Sequence, residues 1–324
     1  MKPEQVPLLR RSATFVLPRW KLVYVSTPKA ACTTIKWLLS DLQGYEPQMF
    51  YASLSSETTR ATTVHQRRVL WRGTPRLTDL APEDLEAVTP ENGWFFFTMT
   101  RHPATRLWSG WQSKFLLREP RFMHEFRDET WLPRLPESTD DVMDDWESFI
   151  RAISKDHDAP VLADIHFRKQ SELLNIGVAP YDRVYDTSEF GQMMRDLQTH
   201  VEAQGYTERL ATRRSNETPL PPIERAFPSH VIDTIADIYA DDYAKLGYTD
   251  ARPPRLGTGD YSKELVGATS IIAERGERIG DLAWRARRLD KSLRECREQS
   301  REAEASAAAK RGLWQGLTKS VRRR

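Results

Sequence analysis

The stretch Thr27-Pro28-Lys29-Ala30-Ala31-Cys32-Thr33-Thr34 combines one lysine, three threonine hydroxyls and several small side chains. That mixture suits an anion. A strand feeding a loop that opens a helix presents backbone N–H groups with no internal partner, and the helix dipole favours negative charge there. Ala30, Ala31, Thr33 and Thr34 let the backbone approach a phosphate, the threonines add hydroxyl donors, and Lys29 adds a point charge at the loop's start. In the Walker A loop of nucleotide triphosphatases the lysine comes last, after two spaced glycines. No glycine occurs from Thr27 to Thr34, so an ATP or GTP loop is disfavoured.

A second anion grip lies further along. Arg101 offers a planar donor fork and Ser109 a hydroxyl, in the run Arg101-His102-Pro103-Ala104-Thr105-Arg106-Leu107-Trp108-Ser109. Ser109 is about two helical turns beyond Arg101, so loop and helix must fold around the ligand together.

Each grip needs a strand and a helix to hold it. Leu22-Val23-Tyr24-Val25 is a short β-prone run, and Ile35, Leu38, Leu39 and Leu42 then fall on one helical face, with Gly44 at the expected cap. Trp94-Phe95-Phe96-Phe97-Thr98-Met99 is the second strand, and Leu107, Trp108, Trp111 and Phe115 mark the helix behind it, with Pro103 suited to its first position. Arg183-Val184-Tyr185 is a third run. Strands alternating with helices predict an α/β fold with a central parallel sheet covered on both faces. One late helix is expected from about Pro228 to Gly247, carrying Val231, Ile232, Ile235, Ile238, Tyr239 and Leu246. The domain therefore spans residues 1–250. Within it, the insert bearing Trp131, Trp146 and Phe149 suits either packing anchors or rings that stack on a sugar.

Residues 251–261 read as a linker, and 262–309 as a helical extension. Leu265, Ile272, Ile279, Ala286 and Leu293 recur every seven residues, with Leu282, Leu289 and Cys296 at the second apolar position, a pattern that predicts self-association as a coiled coil through 262–300. Arg275 interrupts it, and a single solvated helix fits the same residues. In 310–324, Lys310, Arg311, Lys319, Arg322, Arg323 and Arg324 alternate with Leu313, Trp314, Leu317 and Val321, a basic amphipathic tail able to contact an anionic membrane or to remain solvated.

The balance of 48 basic against 46 acidic residues argues against a nucleic-acid binder. Cys32 and Cys296 form neither a disulfide framework nor a metal site, and no stretch is long and apolar enough to span a bilayer, so a cytoplasmic enzyme without metal is expected.

Pro28 to Thr34 resembles the 5′-phosphosulfate loop of the carbohydrate sulfotransferases, the Golgi chondroitin and dermatan type and their bacterial relatives, and Arg101 to Ser109 resembles that family's 3′-phosphate motif. His166 to Glu189, and Tyr239-Ala240-Asp241-Asp242-Tyr243-Ala244-Lys245-Leu246-Gly247-Tyr248, resemble its later segments in the same order, and Asn216 falls where the family carries an asparagine. The resemblance covers roughly residues 20–248. It implies a P-loop-like three-layer fold and transfer of a sulfuryl group from 3′-phosphoadenosine 5′-phosphosulfate to an acceptor hydroxyl, on a glycan or glycosylated metabolite. Pro28, Lys29, Ala30, Ala31, Cys32, Thr33, Thr34, Arg101 and Ser109 would then hold the donor, with Lys29 stabilising the leaving phosphate. The acceptor's proton needs a base. His65 and His166 both have a suitable ordinary pKa, and Glu57 and Glu172 are substitutes. Two other functions fit parts of the pattern: a nucleotide-dependent kinase with a degenerate loop, and an inactive scaffold that oligomerises through its C-terminal helix.

Overall fold

The computed structural model describes residues 13–51, 58–65, 70–212 and 217–321, from residue 309 onward as helical backbone alone. Glu57, Asn216 and Arg322 to Arg324 lie outside the described residues, as do the side chains of the basic tail from Lys310 to Val321.

Among the described residues one sheet runs in the order β1 (Ala13–Leu17), β2 (Leu22–Ser26), β3 (Phe95–Thr100), β4 (Arg183–Asp186). β2, β3 and β4 are parallel, with Val25 opposite Thr98 and Thr100 opposite Asp186. Their carboxyl ends therefore share one edge, where open α/β sheets hold their ligands. β1 is an antiparallel edge strand that the sequence pattern does not announce. A 3-10 turn at Pro18–Trp20 and a left-handed Lys21 (φ 44°) reverse the chain between β1 and β2.

Side chains alternate across β2. Leu22 and Tyr24 pack toward α1 (Cys32–Leu42) and α6 (Phe190–Ala203), while Val23 and Val25 meet a thinner layer holding Leu77, Leu85 and Leu174. The predicted face of α1 (Ile35, Leu38, Leu39, Leu42) is buried. α2 (Pro103–Trp111) is buried along its whole length, so its polar members Arg106 and Ser109 sit deep in the protein. Trp108 stacks on Trp111 at 5.2 Å and meets Trp146 of α4 (Thr139–Lys155) edge-on at 5.1 Å, and Trp131 packs 4.8 Å from Phe115. The tryptophans of the insert thus belong to the core. They are not a sugar platform.

After α2 the chain makes a π-turn over Gln112–Leu116, with the Leu117 N–H donating to Gln112 O. The turn precedes the short helix α3 (Pro120–Glu125). The late helix is two helices rather than one: α7 (Ser229–Ile238) and α8 (Ala240–Leu246) break at Tyr239, whose hydroxyl donates to Phe167 O at 2.6 Å. α8 ends on left-handed Gly247 (φ 76°).

Residues 251–261 pack against the domain: Gly257 bridges Ile223, and the buried Tyr261 donates to Pro221 O at 2.6 Å. α9 (Lys263–Val321) follows, 59 residues and about 90 Å long. No helix of the described residues is long and apolar enough to cross a membrane. α9 docks through Val266, Ala273 and Ala283 and through Gly276, where an added Cβ would lie 2.4 Å from Leu117 O. Trp284 packs at a tilt on His124 of α3, ring centroids 4.4 Å apart.

Gly276→Ala should therefore destabilise the protein by about 1–3 kcal/mol in urea unfolding, despite the helix-propensity gain of about 1 kcal/mol. Gly267→Ala, where nothing lies within 4 Å, should show the gain alone. Equal effects from the two would mean that α9 does not dock through Gly276.

Candidate active site

The Thr27–Thr34 loop joins β2 to α1. Without a glycine it places Lys29 (φ 68°) and Ala31 (φ 53°) in the left-handed region, which costs of order 1 kcal/mol each. This turns the chain so that α1 begins without any side-chain cap. The start of α1 thus opens on a cleft lined by Pro28, Lys29, Ala31, Cys32, Thr33 and Thr34. Ala30 departs from that set. Its methyl is buried in the core and its N–H turns back to Thr27 O, so it supports the loop from beneath.

Arg101, at the end of β3, and Ser109, on α2, line the same cleft. Nε of Arg101 donates to Thr105 Oγ1 at 3.2 Å, which directs its terminal amino groups onward. Gln170, at the start of α5 (Gln170–Leu173), clamps the Arg101 backbone on both sides, accepting from its N–H at 3.0 Å and donating to its carbonyl at 2.8 Å. The cleft measures about 1520 Å³. That exceeds the ~300–1,000 Å³ of a single small-molecule pocket and leaves room for two reactants.

Arg106, in the same motif on α2, is the organising residue. Fully buried, it donates from Nε to Pro28 O at 3.0 Å, from Nη1 to Arg168 O at 2.8 Å and from Nη2 to Ile165 O at 3.0 Å. It ties the Thr27–Thr34 loop to residues 165–168. Asp242 of α8 holds the adjoining piece, accepting from the N–H groups of Gln170 and Ser171, both at 2.8 Å. Tyr248 donates to Asp186 at 2.8 Å. The Tyr239–Tyr248 motif is thus a set of staples behind the site.

The two histidines differ in their free lone pairs. His65 Nδ1 lies 2.9 Å from the Lys36 ammonium, which can only donate, and Nε2 lies 2.8 Å from Thr33 Oγ1. Both nitrogens are occupied. Crowding by the cleft walls, then Lys36, His166, Lys114 and Lys29, lowers its pKa, although the ring keeps an edge in solvent. His166 Nδ1 lies 2.7 Å from Asp164, and since a carboxylate only accepts, Nδ1 carries the proton and Nε2 the lone pair. Arg121 anchors Asp164 from the far side at 2.5 Å. Burial opposes the Asp164 charge, but the bonds from His166 and Arg121 outweigh it and hold the carboxyl well below its ordinary range. Burial brings His166 down to about 4, with Lys114 and Lys29 pushing the same way against the pull of Asp164. Among the other candidates, Glu172 is exposed and absent from the cleft lining. His102 is buried, 3.0 Å from Asp250 O between Tyr243 and Tyr248.

Cations crowd the cleft. Burial, then Lys114, Arg101 and Arg106, brings Lys29 down to about 7, with Cys32 opposing. Lys114 sits in the π-turn, 3.7 Å from Glu119, with its pKa also lowered by burial. Lys114 escapes a reading of the sequence, because the π-turn that carries it is invisible to a 3.6-residue period.

Residues 12–249 match the model of the sulfotransferase family. The chain belongs to that family. No curated protein and no solved structure matches it. Sulfuryl transfer is the family's chemistry, and the matched span encloses β1 to β4 and every cleft residue named above.

Arg106→Lys keeps the charge but loses the fork that reaches three carbonyls. It should destabilise the protein by roughly 3 kcal/mol and reduce turnover by more than tenfold. Unchanged thermal unfolding and activity would remove Arg106 as the tie between the two segments.

Proposed function

We propose that the protein transfers a sulfuryl group from 3′-phosphoadenosine 5′-phosphosulfate to a hydroxyl of a saccharide or glycosylated molecule. The observation that carries this is the convergence in one cleft of two anion grips from separate strand–helix units, with a free imidazole lone pair beside them. The residues fit a donor charged at both ends. Lys29 and the open N–H groups at the start of α1 suit its 5′-phosphosulfate, and Arg101 with Ser109 suits its 3′-phosphate. The donor supplies an activated sulfuryl group. Lys29 then stabilises charge growing on the leaving phosphate side. His166, neutral near pH 7, accepts the acceptor's proton at Nε2, and Asp164 stabilises the resulting imidazolium. His65 instead orients Thr33 at the loop.

His166→Asn should lower kcat by about 10²–10⁴-fold with little change in donor affinity. His65→Asn should act mainly on donor binding. The reverse pattern would give the base role to His65.

Lys29 sets a pH dependence. An anion beside it raises its pKa above the free value of about 7, so binding takes up a proton and is strongest below pH 7. Affinity for 3′-phosphoadenosine 5′-phosphate should fall by up to about tenfold per pH unit above pH 7, until the bound-state pKa is reached. In Lys29→Arg, whose charge is permanent, calorimetric titration should show this decline flattened. Equal slopes in both proteins would exclude Lys29 from the anion site. Thermal shift offers a separate check: 3′-phosphoadenosine 5′-phosphate should stabilise the protein, and stabilisation by ATP with magnesium alone would favour a kinase.

A further inference from the structure

α9 carries two separate faces. Val266, Ala273, Gly276 and Ala283 occupy the first, which is covered by the domain. The second, Ile272, Ile279, Leu282, Leu289 and Leu293, lies roughly a third of a turn around the helix and is open to solvent. Leu289 is 72% exposed and Leu282 56%. From Trp284 to Ala308 every described residue of α9 is exposed, so this length makes no core of its own. A solitary solvated helix draws little stability from propensity, and an apolar stripe is what packing against a partner would use.

We propose that the open face pairs with the same face of a second copy, as a parallel, in-register, two-stranded coiled coil from Ile279 to Cys296. Three observations on these residues commit the partner and its direction. Ile279, Ala286 and Leu293 repeat every seven residues, with Leu282, Leu289 and Cys296 three residues further on in each heptad. Ile279 with Leu282, a β-branched residue at the first core position and leucine at the second, is the pairing that favours two strands over three or four. The flanks then set direction. In a parallel pair Arg285 of one chain faces Asp290 of the other, and Asp290 also accepts from Arg294 of its own helix at 2.5 Å. An antiparallel pair would instead bring the flank of Arg278 and Arg285 against its own copy, cation to cation. Arg275, at a second core position, stands just before Ile279 and marks where the tight seam begins. Because the paired face is not the docked face, α9 can hold its own domain and the second helix together. The proposal does not depend on the sulfotransferase chemistry.

Light scattering of the full-length protein should give twice the 37.5 kDa chain mass. Ile279→Glu with Leu289→Glu should give one chain mass, with a cooperative thermal unfolding transition retained as evidence that the domain is folded. In a Cys32→Ser background, mild oxidation should link the two copies covalently through Cys296, since facing core positions fall within disulfide reach. Cys296→Ser should abolish the link. A wild-type mass of one or three chains would overturn the proposal, as would a dimer that survives the double substitution. A dimer that Cys296 does not link would overturn its parallel, in-register form.

Discussion

The guanidinium of Arg106 is the constraint on which the cleft depends. A fully buried cation bonded only to carbonyls is an expensive arrangement, because desolvation of such a group costs several kcal/mol even after relaxation. Three charge-assisted bonds to Pro28, Ile165 and Arg168 offset that cost. In exchange, two loops without regular structure are fixed to α2, a helix buried throughout. The loop's left-handed Lys29 and Ala31 have no glycine to relax them, and the bond at Pro28 helps to hold that shape. On the other side, Asp242 and Tyr239 fix residues 167–171 from behind. Both the Thr27–Thr34 loop and the imidazole are thereby referred to the same rigid element.

The same burial creates the electrostatic character of the site. Lys114, Arg101 and Arg106 stand close enough to Lys29 to add to the burial that lowers its pKa to about 7. A site strained by like charge is preorganised for an anion, since the ligand relieves a repulsion already present. His166 feels the same field. The cations that favour anions also keep its ring neutral, while Asp164 fixes which nitrogen stays bare. One cluster of positive charge thus shapes both the anion grips and the imidazole.

Much of this was legible in the chain itself. The period of α1, the apolar runs of β2 and β3 and the two grips at their ends are local patterns, and local patterns survive folding. β1 was not legible, because an edge strand reversed by a 3-10 turn has no helix to announce it. Arg106 was visible as part of a motif but not as a tie, since its partners are backbone carbonyls 59 to 78 residues away. The choice between His65 and His166 needed the partners of each ring nitrogen, which sequence does not carry. Trp131 and Trp146 fitted two roles equally until their neighbours were known.

Gly276 has a meaning for where this protein begins and ends as a folding unit. Family likeness stops at residue 249, yet Tyr261 and Val266 belong to the same hydrophobic cluster as Trp108, Trp146 and Phe167. Beyond them, α9 closes on the backbone just after the π-turn, at a spot where only hydrogen fits. A chain cut at the limit of its kinship would leave that cluster uncapped and the wall behind Arg121 unsupported. In this protein ancestry and cooperativity draw their borders at different residues, and the catalytic half is completed by a helix its relatives' pattern does not include.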